Sequence, residues 1–225
     1  MSDRDRLIDI PDPLRSAITV RVPPMPTLPT RKSPSRAERK RSLTLVIAAS
    51  VVYQVAWLLL IEHRADVSRS SLIVLGVLVP LVLAMLVGSS ALRSGQRGLG
   101  ISVNVLRATA VSAPVLFTLA SLLVAARMTD ETAPFWDRAI RCIAVTCALT
   151  APPMAMLSWV FRHAFVAASV WRSAALGVAC GALGAATMSL ACAHGEALHV
   201  IVAHGSMMIV GGLAGALVGR FVARA

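Results

Sequence analysis

Polar and apolar positions fall into blocks along this chain. Six apolar runs, Leu43 to Ile61, Ser71 to Leu92, Val103 to Ala126, Ala139 to Val160, Ser173 to Cys192 and Leu198 to Gly219, follow a polar head and are divided by short polar turns. A membrane-spanning helix needs ~20 mostly apolar residues, and each run is of that order. The pattern predicts an all-α membrane protein, a six-transmembrane-helix bundle occupying residues 43–220. Its spans are 43–61, 71–92, 103–126, 139–160, 173–192 and 198–219, with a short tail, 221–225.

The head, residues 1–42, holds seven of the twelve prolines and ten of the 22 Lys and Arg residues. Such a segment buries too little apolar surface to offset its ordering entropy, so it is expected to be largely disordered when free. It is too long and too polar to begin a cleaved signal peptide, so the first apolar run should stay as an anchor. Composition agrees. With 56% hydrophobic but only 4% aromatic residues, the chain carries a surplus of Ala, Val and Leu beyond what a soluble core of this length would use.

The net charge of +11 raises the question of a nucleic-acid partner, and its distribution answers it. Drawn with the N-terminus inside, the six spans leave seventeen basic residues on the inner side and five on the outer: Arg64, Arg69, Arg127, Arg138 and Arg141. That asymmetry follows the positive-inside rule and places both termini in the cytoplasm. The run Arg36, Arg39, Lys40, Arg41 then reads as a translocation stop and a contact for anionic headgroups, with no direct nucleic-acid binding. Trp57, Trp136, Trp159 and Trp171 fall at span ends as an aromatic belt.

No Asp or Glu lies in a span core, where an ion-coupled transporter or an intramembrane enzyme would need one. The polar residues there are Ser, Thr, Tyr53, Gln54 and His204, suited to bonds with a neighbouring helix or with the i−4 carbonyl. His204 is expected to be a hydrogen-bonded packing residue. A small multipass transporter or channel subunit therefore stands only as the alternative reading, and the absence of any catalytic motif or cofactor loop argues against an enzyme. Pro80, Pro114, Pro152 and Pro153 sit inside spans, where each removes a backbone donor and bends its helix. Gly177 and Gly181 in the fifth run, and Gly211, Gly215 and Gly219 in the sixth, recur every fourth residue. They form faces for close helix packing, against either the same chain or another copy.

Depth along the spans sorts the four cysteines. Cys142, about one turn into the fourth span, and Cys192, closing the fifth, share the outer level. Cys147 lies about 7 Å and Cys180 about 18 Å deeper than these partners, at 1.5 Å per residue. If the fourth and fifth helices are neighbours, Cys142 and Cys192 are close enough for a disulfide on an oxidising face. With His194 and His199 nearby, the same thiols offer ligands to a soft or borderline metal, present as a transient signal rather than a resident cofactor. Simple packing of small thiols is the third possibility.

Several stretches resemble the NrsF-type family of bacterial membrane anti-sigma factors, which have a short cytoplasmic head and six transmembrane helices. Asp5-Arg6-Leu7-Ile8-Asp9 is similar to the family's opening segment, and Val22 to Pro34 to its Pro-rich stretch before the first span. Phe135-Trp136-Asp137-Arg138 leading to Cys142, and the small-residue ending Gly211 to Arg220, also match. The family's His-Cys and acidic, Pro-containing turn is replaced here by Cys192-Ala193-His194-Gly195-Glu196.

What the resemblance implies is a regulator that holds an extracytoplasmic-function sigma factor at the inner membrane through its head, with Leu7, Ile8, Ile10, Leu14 and Ile18 as apolar anchors. It also implies that Cys142 and Cys192, 50 residues apart, are the sensing pair. Oxidation or metal capture there would shift the fourth helix against the fifth, and the bundle would pass the change to the head.

Overall fold

The computed structural model describes residues 36–60, 71–92, 101–125, 134–161, 169–192 and 196–222. Among them there is no strand. The helices are α1 (Arg36–Leu60), α2 (Ser71–Leu92), α3 (Val103–Ala125), α4 (Phe135–Phe161) and α5 (Ser169–Ala191). The last apolar run is a single rod in three parts: α6 (Ala197–His199), a π-helical segment (Val200–Gly205) and α7 (Ser206–Val222). Among the described residues, five stretches are long and apolar enough to cross a bilayer: Arg41–Leu60, Val103–Leu123, Phe135–Val160, Val170–Ala191 and Ala197–Phe221. The apolar part of α2 counted on the same basis is shorter, Gly76–Leu92.

Three helices start earlier than hydropathy predicts. α1 begins at Arg36 rather than Leu43, α4 at Phe135 rather than Ala139, and α5 at Ser169 rather than Ser173. The added turns are polar or aromatic, and Ala, Arg, Glu and Lys before Leu43 favour helix as readily as apolar residues do.

Lipid as solvent explains the surface. Leu59, Leu60, Leu123, Leu213 and Phe221, all large and apolar, are more than half exposed, an arrangement that water would penalise at ~25 cal/mol per Å². Among the described helices, α5 is the one enclosed on most sides. Of its span 78% is buried, against 11% for α1, and α2, α3, α4 and α7 pack around it. A helix surrounded in this way has to be thin, and α5 supplies Ala and Gly at most positions (SAALGVACGALGAA).

The glycine faces turn out to serve one chain. A Cβ added at Gly177 would strike the backbone of Gly211, one at Gly181 the backbone of Met207, and one at Gly215 the backbone of Ser173. Thus α5 and α7 run backbone against backbone along the shared face, with Gly219 buried farther along α7. On its other side α5 meets α4, where a Cβ at Gly184 would come within 2.5 Å of Thr150 Oγ1.

The double proline of α4 has a direct structural consequence. Pro152 and Pro153 lack the N–H groups that would bond to the carbonyls four residues earlier, Ala148 and Leu149. Those carbonyls accept instead from α1: the Tyr53 hydroxyl donates to Ala148 O at 2.8 Å, and Gln54 Nε2 donates to Leu149 O at 3.0 Å. The chain's single tyrosine and its neighbour therefore fasten α1 to the bend in α4. Tyr53→Phe and Gln54→Leu should each lower stability by about 1–3 kcal/mol, the usual cost of stranding a buried polar group. Thermal unfolding of the detergent-solubilised variants measures this, and an unchanged midpoint for both would contradict the fastening role. The in-span Ser and Thr residues mostly bond backwards to their own helix, as Ser50 to Val46 O and Thr118 to Pro114 O.

Candidate thiol and imidazole centre

At the end of the bundle where α4 starts, α5 stops and α6 begins, four buried side chains converge. Cys142 lies two turns into α4, Cys192 directly follows α5, His199 ends α6 and His204 belongs to the π-helical segment. Their ligand-type atoms all lie within 4.8 Å of one another. Cys142 Sγ is 3.6 Å from Cys192 Sγ, and Cys192 Sγ is 3.4 Å from His199 Nε2. The rings of His199 and His204 meet edge to face with centroids 5.7 Å apart.

The π turn makes this convergence possible. In an α-helix, residues five apart end up about 140° apart around the axis. His199 and His204 would then face different neighbours. A π-helical turn closes i to i+5, so the segment Val200–Gly205 carries both imidazoles to one face, and Gly205 lets the widened backbone sit against the Phe117 ring. Sequence reasoning treated His204 as a hydrogen-bonded packing residue. The structure corrects this: His204 is 1% exposed, its ring nitrogens bond to no carbonyl or hydroxyl of a packing neighbour, and its ligand-type atom lies within 4.8 Å of both sulfurs. The signal available in the sequence was the five-residue spacing of two histidines at the level of two cysteines.

Neighbouring groups close the centre. Thr146 Oγ1 donates to Cys142 O at 2.6 Å, and Thr150 Oγ1 to Thr146 O at 2.7 Å, which keeps these hydroxyls turned back onto α4. Arg138, one turn before Cys142, pairs with Glu196 at 3.4 Å and so ties the start of α4 to the approach to α6. Phe135 stacks edge-on against both His199 and Trp136. Tyr53 and Trp57 of α1 pack against the cluster that contains Cys142, Leu149 and Cys192. Trp57 is thus half-buried within the bundle, while Trp136 and Trp159 are exposed near the two ends of α4 as a belt requires. Trp171 lies under the Arg107 guanidinium at 4.9 Å.

Two thiols at this separation can do two things. A two-electron oxidation would join them once the sulfurs close to about 2.05 Å. Alternatively, their thiolates can ligate a cation together with the imidazoles. Of the remaining cysteines, Cys147 is exposed and Cys180 is buried, and neither belongs to the cluster. His194, Leu7, Ile8, Ile10, Leu14 and Ile18 lie outside the described residues.

A family model described as NrsF, negative regulator of sigma F, matches residues 28–224. No curated protein and no solved structure matches the chain.

Proposed function

The chain belongs to the NrsF family of negative regulators of sigma F, and from that premise we propose that it is a membrane-bound anti-sigma factor for an extracytoplasmic-function sigma factor. The observation that carries this reading is the family match across nearly the whole chain. In it, six helices cross the bacterial inner membrane with both termini in the cytoplasm, the orientation favoured by the seventeen-to-five division of basic residues. Residues 1–42 form the sigma-binding segment, with Leu7, Ile8, Ile10, Leu14 and Ile18 as anchors. A segment that folds on its partner covers a broad surface at modest net affinity, which suits a complex that has to come apart. The protein acts by withholding its partner and catalyses nothing.

The signal, an envelope, metal or oxidative one, acts at Cys142 and Cys192 on the periplasmic side. α4 is the element that couples this site to the head. It bears Cys142, and its Ala148 and Leu149 carbonyls hold α1, the helix that continues directly from the head. A change in how α4 meets α5 at the thiols therefore alters the seat of α1. Coupling of this kind requires the signal to bind two arrangements of the bundle unequally.

Co-sedimentation with membranes tests the sequestering role. Vesicles carrying the full chain should retain the cognate sigma factor, and vesicles carrying a chain that lacks residues 2–35 should lose at least about nine-tenths of it, as expected when a partner's anchoring contacts are removed. Equal retention by both would place the binding site elsewhere.

A further inference from the structure

We infer that Cys142, Cys192, His199 and His204 form a four-coordinate site for one soft or borderline divalent cation of the zinc, cadmium or cobalt type. The inference deepens the sensing role proposed above and depends on it only for the biological consequence, because the geometry stands by itself. In a tetrahedral site with metal–sulfur bonds of about 2.3 Å and metal–nitrogen bonds of about 2.0–2.1 Å, neighbouring ligand atoms lie about 3.4–3.8 Å apart. Two separations already have these values, 3.6 Å between the sulfurs and 3.4 Å between Cys192 Sγ and His199 Nε2. With all four ligand atoms within 4.8 Å of one another, the rest need to close by only about 1 Å.

Three further features point to a cation rather than to packing alone. His204 holds two ring nitrogens away from solvent, neither in a hydrogen bond among the described residues, and a metal–nitrogen bond would satisfy one of them. The π turn aligns His204 with His199, and such turns cluster at functional sites. Charge also balances. Two thiolates neutralise a divalent ion, so the loaded site carries no net charge into surroundings where a lone ion would be costly. Binding releases one proton from each thiol to solvent, with no electron transfer. Sulfur and imidazole donors exclude magnesium and calcium, which take oxygen ligands.

This set differs from the sequence expectation, which paired Cys142 and Cys192 with His194 and His199. His204, fixed within the bundle, provides a nitrogen ligand from the described residues.

The test is a titration of the reduced, detergent-solubilised full chain with Co2+ alone. The expected result is one ion per chain, with visible bands of four-coordinate intensity, a thiolate charge-transfer band, and release of protons. His204→Ala and His204→Gln should each weaken binding by at least about tenfold with helicity unchanged by circular dichroism, whereas Cys147→Ser should bind as the parent does. Absence of the charge-transfer band, six-coordinate spectra, or equal affinity in both folded His204 variants would overturn the site. Sigma-factor retention measured on the same preparations separates the two readings: a chain that holds the sigma factor but not Co2+ refutes this site and leaves the anti-sigma role standing.

Discussion

Replacing Cys142 and Cys192 together by serine should abolish induction of sigma-dependent transcription by thiol-reactive metals and oxidants, while leaving the uninduced level low. Serine has almost the volume of cysteine, so the packing of Leu149, Met188 and Ala203 around the pair is kept. The hydroxyl neither forms a disulfide nor binds soft cations as a thiolate does, so both chemistries open to the centre vanish together. The ratio of induced to uninduced reporter signal should fall to about one, because no ligand remains to shift the equilibrium. Either single substitution should have nearly the same effect, since the two sulfurs touch and each needs the other. Cys147→Ser, at an exposed thiol outside the cluster, should respond as the parent does. Full induction in the double variant would remove the thiols from the sensing step.

Gly177→Ala should be severely destabilising, although alanine normally strengthens a helix. The added methyl would strike the Gly211 backbone, which has no side-chain rotamer by which to yield, so α5 and α7 must separate. Because α5 also packs against α2, α3 and α4, the strain spreads to them. Overpacking of this kind costs typically about 1–3 kcal/mol, and a contact with rigid backbone belongs at the upper end. Gly76→Ala supplies the opposite sign. Nothing lies within 4 Å of a Cβ there, so the substitution should stabilise α2 by about 0.5–1 kcal/mol through propensity alone. Thermal unfolding in detergent distinguishes the two. In cells Gly177→Ala should lower the protein level and raise sigma-dependent transcription without any signal.

The long apolar helices were legible in the sequence because a bilayer demands long uninterrupted apolar runs, and Leu43 to Ile61 or Val103 to Ala126 satisfies that demand without reference to any partner. Their ends were less legible. Hydropathy does not register an added helical turn made of Arg and Lys, as before Leu43, or of Phe, Trp and Asp, as before Ala139. The glycine spacing announced close packing, but only the fold shows that Gly177 meets Gly211 within one chain. Cys142 and Cys192 could be set at one level by counting residues. His204 could not be added to them, since α-helical periodicity turns it away from His199 and a π turn is not written in hydrophobic pattern. The role of Tyr53 and Gln54 was half visible: the i−4 rule names Ala148 and Leu149 as the carbonyls freed by the two prolines, yet nothing in the sequence says which helix supplies the donors.

Under the proposed function, a chemical event at the thiol centre loosens the grip of the head on a sigma factor. Its most direct test is co-sedimentation of that sigma factor with vesicles bearing the reduced full chain, before and after addition of Cd2+. The sigma factor should sediment with the vesicles, pass to the supernatant when Cd2+ is added, and remain bound to the Cys142→Ser, Cys192→Ser variant under the same treatment. Retention by the parent chain in the presence of Cd2+, or equal release from the variant, would contradict it.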